Sequence, residues 1–196
     1  MALTMVLWGR APLQHIIGLM AVLHLYCGGS RMASVILAAD TSSMISQEAP
    51  VPPQATEFTL KDQYDKTRRY GFPQETISVV FFADYTGSGQ LEDWIRPLYD
   101  RYQKAIGIYG VADLSAVPGF MRGLVARAFR RQLQYPVMFD WHGTVSKSYE
   151  AQSGQANLYL IDTQGRIVLQ LVGAINPERL QRVMAQIDRL VVPLGD

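Results

Sequence analysis

An α/β fold with a mixed central sheet and helices on both faces, a three-layer sandwich, follows from three features of the 196-residue sequence. Short runs of β-branched and aromatic residues recur, of the kind that fill strands buried on both sides. Amphipathic helical segments separate these runs, the order that builds parallel strands. Toward the end, two strand-like runs flank a tight turn and one more helix follows, which adds an antiparallel hairpin to the sheet.

Residues 1–39 read as a signal peptide or N-terminal anchor. Arg10 supplies the positive element, residues 16–23 the apolar run, and Gly28-Gly29-Ser30 the small residues that follow. The run is bracketed by His15 and His24, well short of the ~20 apolar residues a spanning helix needs. Cleavage after Ser30 or after Ala39 both fit. Retention as an anchor and lipidation of Cys27 compete with cleavage, and His24 and Tyr26 stand against lipidation. Residues 40–56 carry Pro50, Pro52 and Pro53 among Ser, Gln and Ala, and read as a linker. Residues 57–196 form the domain.

Within it, residues 77–83 (ISVVFFA) are a continuous buried strand. Residues 90–104 place Leu91, Trp94, Ile95, Leu98 and Tyr102 at helical spacing, and residues 106–114 make a second buried strand. A helix over 118–134 has Phe120, Met121, Leu124, Val125, Ala128 and Phe129 on its apolar side, and residues 136–139 return as a short strand. Residues 157–162 and 166–172 flank Thr163-Gln164-Gly165 as a hairpin. The last helix has Asn176 as N-cap, Pro177 and Glu178 in its first turn, and Leu180, Val183, Met184, Ile187 and Leu190 on one face.

Composition narrows the chemistry. A domain of ~140 residues buries roughly two-thirds of its unfolded surface, enough for a stable core without disulfides or metals. The apolar and charged fractions, 48% and 18%, are those of a globular protein, and a net charge of +1 provides no overall field to recruit nucleic acid. The single cysteine, Cys27, lies in the leader, so the domain has no thiol. It also has a single histidine, His142, too few ligands for a zinc site, and no loop has the acidic spacing of a calcium site. No metal and no cofactor are implied.

Three segments carry a resemblance. Phe81-Phe82-Ala83-Asp84-Tyr85-Thr86-Gly87-Ser88-Gly89-Gln90 lies along a Phe-Trp-Ala-x-Trp-Cys-x-x-Cys-Lys stretch. Phe139-Asp140-Trp141-His142-Gly143-Thr144-Val145 is similar to a strand, an acidic residue and a G-x-V turn. Leu158-Tyr159-Leu160-Ile161-Asp162 with Gly165 and Ile167 is similar to an F-L-I-D-x-x-G-x-I hairpin. In this order they resemble the thioredoxin-like superfamily, in its peroxiredoxin-like and tethered thiol-reductase branches, over about residues 58–190. The resemblance implies a thioredoxin-like fold. It also implies that Thr86 and Gly89 stand where the redox cysteines would be, Val80 where thioredoxins often bury an aspartate, and Ala156 where the family has its cis-proline. A hydroxyl is not ionised near neutral pH by a helix N-terminus, and glycine has no side chain, so thiol–disulfide chemistry is lost.

The candidate binding residues are Asp84, Tyr85, Thr86, Ser88, Gln90 and His142; no catalytic residue is assigned. The 84–90 loop would expose backbone N–H groups at a helix start, able to hold an anion, a carboxylate or an extended peptide. The alternative is an ordinary strand-to-helix turn with Ser88 as N-cap. His142, beside Asp140 and Trp141, has the chemistry of a general base near neutral pH, or is a loop histidine packed on Trp141. Arg122, Arg127, Arg130 and Arg131 gather on one helix and face either anionic headgroups, an acidic partner, or solvent. These residues point to an exported binding or scaffolding module of the cell envelope, in the periplasm or at the exterior, with an envelope protein or peptide as partner. The alternatives are a hydrolase-like enzyme using the 84–90 loop and His142, and a redoxin by ancestry only.

Overall fold

The computed structural model describes residues 53–191, so the leader, Cys27 and most of the linker lie outside the described residues. Seven strands form one mixed sheet: β1 (Phe58–Asp62), β2 (Thr67–Tyr70), β3 (Ser78–Ala83), β4 (Gly107–Asp113), β5 (Val137–Asp140), β6 (Asn157–Ile161) and β7 (Ile167–Val172), in the order β2-β1-β5-β4-β3-β6-β7. β3, β4 and β5 run parallel, with β6 and β7 antiparallel on one side and β1 and β2 on the other. Among the described residues four α-helices accompany them: α1 (Leu91–Tyr102), α2 (Arg122–Gln132), α3 (Thr144–Ser148) and α4 (Pro177–Val191). The mixed α/β architecture with helices on both faces is the one the sequence predicts.

Every residue of β3 is buried, and its side chains divide between the two faces as strand alternation requires. Val79 and Phe81 join Trp94 and Leu98 of α1, Leu158 and Leu160 of β6, and Val183 and Ile187 of α4 in one cluster. Ala112, Val137 and Phe139 on the same face receive Val125 and Phe129 of α2. Val80 and Phe82 point the other way, into an aromatic cluster where Phe82 meets Phe58, Tyr149 and Tyr159 at ring-centroid distances of 6.3, 4.7 and 5.6 Å. Among the described residues, only the five-residue α3 covers that face as a helix. The β1–β2 hairpin, absent from the sequence reading, bends across it and supplies Phe58 and the fully buried Tyr70.

The hairpin of β6 and β7 forms as predicted, and Asn176 caps α4 by accepting the Arg179 N–H at 2.8 Å. The chain ahead of β1 is pinned to that hairpin: the Ala55 N–H donates to the Gly165 carbonyl and the Ile167 N–H to the Pro53 carbonyl, at 2.8 and 2.9 Å. The predicted helix over 118–134 is shorter. It starts at Arg122 after a 3-10 turn at Gly119–Met121, so Phe120 lies outside the helical periodicity and is 88% exposed. Leu124 also faces outward, and of the predicted apolar side Val125 is the fully buried member.

Candidate functional site

β3, β4 and β5 are parallel, so the loops that follow them emerge along one edge of the sheet, where open α/β sheets bind ligands. The 84–90 loop follows β3. It contains a 3-10 turn, Gly87–Gln90, that runs into α1. Its amides are not open. The Asp84 carboxylate accepts the Gly87 N–H at 2.8 Å through one oxygen; the other takes the Ser153 hydroxyl at 2.6 Å and the Gly154 N–H at 2.7 Å. The Ser88 N–H donates to the Asp84 carbonyl. Burial raises the pKa of Asp84, but these donors, together with the Thr86 N–H, outweigh it and hold the carboxyl below its usual value.

The carboxylate thereby ties the loop to residues 152–156. Two more contacts tighten the join. Gln90 Oε1 accepts the Ala156 N–H at 3.1 Å, and Gly87 lies so close that a Cβ there would stand 2.3 Å from the Gln155 carbonyl oxygen. Asn157 secures the second loop, its amide nitrogen donating to the Phe82, Gln152 and Gln155 carbonyls while its Oδ1 accepts the Gln152 N–H. Ser88 is not an N-cap: it sits inside the 3-10 turn, and its hydroxyl donates back to the Tyr85 carbonyl at 2.7 Å. Glu92 and Asp93 occupy the first turn of α1. With Asp84 they complement the helix dipole, and a further anion would be repelled. The Asp84 carboxylate thus occupies the Gly87 N–H that the sequence reading left open to a ligand.

No family model matches the chain, and no curated protein matches it. Solved structures do. A DsbE thiol:disulfide interchange protein from Chlorobium tepidum superposes with a TM-score of 0.56 at 20% identity, over 72% of this chain and 97% of that one. The exposed lipoprotein thioredoxin Etrx1 from Streptococcus pneumoniae gives 0.53 at 17% identity, over 69% of this chain and 100% of its own. Peroxidoxin BcpB from Mycobacterium tuberculosis gives 0.50 at 16%, over 74% and 98%. This chain has the thioredoxin-like fold.

In this thioredoxin-like chain, Thr86 and Gly89 are the exposed members of the loop, and a Cβ on Gly89 would meet nothing within 4 Å. Ala156 is buried, and among the described residues the one cis peptide bond is Phe72–Pro73, elsewhere in the fold. The remaining predicted residue stands apart. His142 follows β5, and β4 lies between β5 and β3, so it is ~10 Å from the 84–90 loop at two strand spacings. It is exposed, and Trp141 is covered instead by the Arg122 guanidinium, 5.2 Å from the ring centroid. Ser146 is buried with its hydroxyl donating to Asp140 Oδ2 at 3.0 Å. The two serines the sequence offers beside His142 are thus engaged elsewhere, Ser88 with the Tyr85 carbonyl and Ser146 with Asp140.

A pocket of about 60 Å³ opens beside the loop. Its floor is made of small residues of β3 and β4, Ala83, Gly110 and Ala112, and its walls of Ile95 from α1 and Phe129 and Leu133 from α2 and its end. Tyr85 and Ser88 also line it. Burial pushes the phenol of Tyr135, another lining residue, up to about 12, so it is neutral at physiological pH. The sequence reading found the loop but missed the pocket, Ser153, Gly154 and Asn157. The polar, glycine-containing stretch Gln152-Ser153-Gly154-Gln155 before β6 was the available signal.

Proposed function

We propose that this chain is an exported, non-redox binding module that keeps the thioredoxin-like scaffold and recognises a protein or peptide of the cell envelope at the edge formed by the 84–90 loop. The observation that carries the reading is the Asp84 clasp. Where a redox member of the fold needs a thiolate at a helix N-terminus, this chain has Thr86, Gly89 and a carboxylate that already holds the amides. A partner meets a pre-shaped surface with little left to order, which lowers the cost of association. It lies across Thr86 and Gly89 and seats one apolar side chain in the pocket between α1 and α2, the kind of anchor that dominates binding energy. Export rests on the predicted leader. Among the described residues no helix is long and apolar enough to cross a membrane.

The test has two arms. Full chain assayed for insulin reduction and peroxide consumption stays at the buffer blank; turnover above it refutes the non-redox reading. Immobilised chain is then exposed to envelope extract, and recovered proteins are identified by mass spectrometry. A specific partner is retained by wild type and lost with Thr86→Arg and with Gly110→Val, which fills the pocket. Retention by both variants refutes the binding face.

A further inference from the structure

We propose that the outer face of α2 is a docking surface for an anionic lipid bilayer. The segment between Asp113 and Asp140 carries four arginines and no acidic residue. Two of the four are engaged within the fold: Arg122 stacks on Trp141, and Arg130 donates to the Gln63 carbonyl at 2.8 Å. Arg127 and Arg131 are exposed, and among the described residues neither side chain makes a hydrogen bond or ion pair. Leu124, 45% exposed, shares their side of the helix, since positions 124, 127 and 131 fall within about 60° of one another. Phe120, 88% exposed, stands in the 3-10 turn that precedes the Leu124 end of the helix. The result is an apolar tip and a basic tail about 10 Å apart along one helix.

Charge and shape select the occupant. A helix surface with glycine at 123 is convex, and two turns of it offer far less than the ~800 Å² per side that a stable protein partner needs. A bilayer needs no matching concavity. Phenylalanine and leucine enter the boundary below the headgroups while the arginine stems reach up to the phosphates. The predicted leader, with its own apolar run, puts the chain at a membrane at least during export.

Position 123 reports contact directly, because a Cβ there meets nothing within 4 Å. The full chain with Cys27→Ser and Gly123→Cys, labelled with a polarity-sensitive dye, is mixed with vesicles of phosphatidylcholine alone or with phosphatidylglycerol. The dye moves to an apolar environment with the anionic vesicles only. Arg127→Gln/Arg131→Gln weakens that response about 25-fold, at about fivefold per arginine, and Phe120→Ser/Leu124→Ser removes it. All four side chains are exposed, so melting temperatures stay at the parent value. An unchanged dye, an equal response to both vesicle types, or a response indifferent to the arginines overturns the proposal. So does a response to soluble polyglutamate or DNA without one to vesicles.

Discussion

At the residue scale, Asp84 decides what the site is. It is partly buried, accepts hydrogen bonds from two loops and keeps its charge. Hydrogen bonds to a charged group contribute about 1.5–3 kcal/mol, so Asp84→Ala is expected to cost about 2 kcal/mol in urea unfolding and to speed amide exchange at Gly87 and Gly154. A second prediction concerns acidity. A helix N-terminus lowers the pKa of a thiol there, yet Asp84 has taken the amides and adds negative charge. In a Cys27→Ser background, Thr86→Cys should therefore alkylate with a pKa near the unperturbed ~8.5, and Asp84→Asn should lower it. Equal pH–rate profiles for the two proteins would remove the clasp as an electrostatic element. The loop was legible in the sequence because glycines punctuate it. Its partners were not, since Ser153 and Gly154 lie 69 and 70 residues away.

The elements carry a repeated device. The turn after β1 and the turn after β6 are closed alike by a buried aspartate. Asp62 Oδ1 accepts the N–H of Tyr64 and Lys66 while Oδ2 takes Arg68 Nε; Asp162 Oδ1 accepts the N–H of Gln164 and Arg166 while Oδ2 takes Arg166 Nε. Asp65 and Gly165 occupy the matching left-handed positions, at φ 63° and 89°. The second turn was readable from its glycine, whereas the first hides the same conformation under an aspartate, and the β1–β2 hairpin was missed with it. Gly165→Ala is expected to destabilise by more than ~1 kcal/mol, because φ is unsuitable and a Cβ would stand 2.4 Å from Gln54 Nε2. Gly110→Ala should act oppositely, adding up to ~1 kcal/mol, since a Cβ there finds ordinary contact with Val137 at 3.7 Å. Thermal melts decide both. Helix α2 was misjudged at its start because Phe120 belongs to a 3-10 turn, whose direction the helical period does not predict.

For the whole molecule, the three aspartates predict an acid limit. At Asp62, Asp84 and Asp162 burial acts to raise the pKa, but hydrogen bonds, and at Asp62 and Asp162 an arginine, win and lower it. A carboxyl with a lower pKa folded than unfolded contributes stability in full above the unfolded value, ~3.9, and loses it as pH falls through the folded value. Urea midpoints should hold steady from neutrality to about pH 5 and then fall, and Asp62→Asn/Asp162→Asn should shallow the fall. The parallel core was legible because strands buried on both faces need unbroken apolar runs. The site was legible only as a vacancy of sulfur, since what replaces the thiols is assembled by tertiary contacts. The entry of the chain into the fold has a practical corollary. Residue 53 is held beside the turn after β6, and that turn lies at the pole where β3 begins, as the pairing of Ser78 with Ile161 fixes. The clasp lies at the opposite pole, ~20 Å away along the six residues of β3. A chip, bead or fluorescent fusion attached upstream of residue 53 therefore starts out behind the domain, and the proposed binding edge is left pointing into solution.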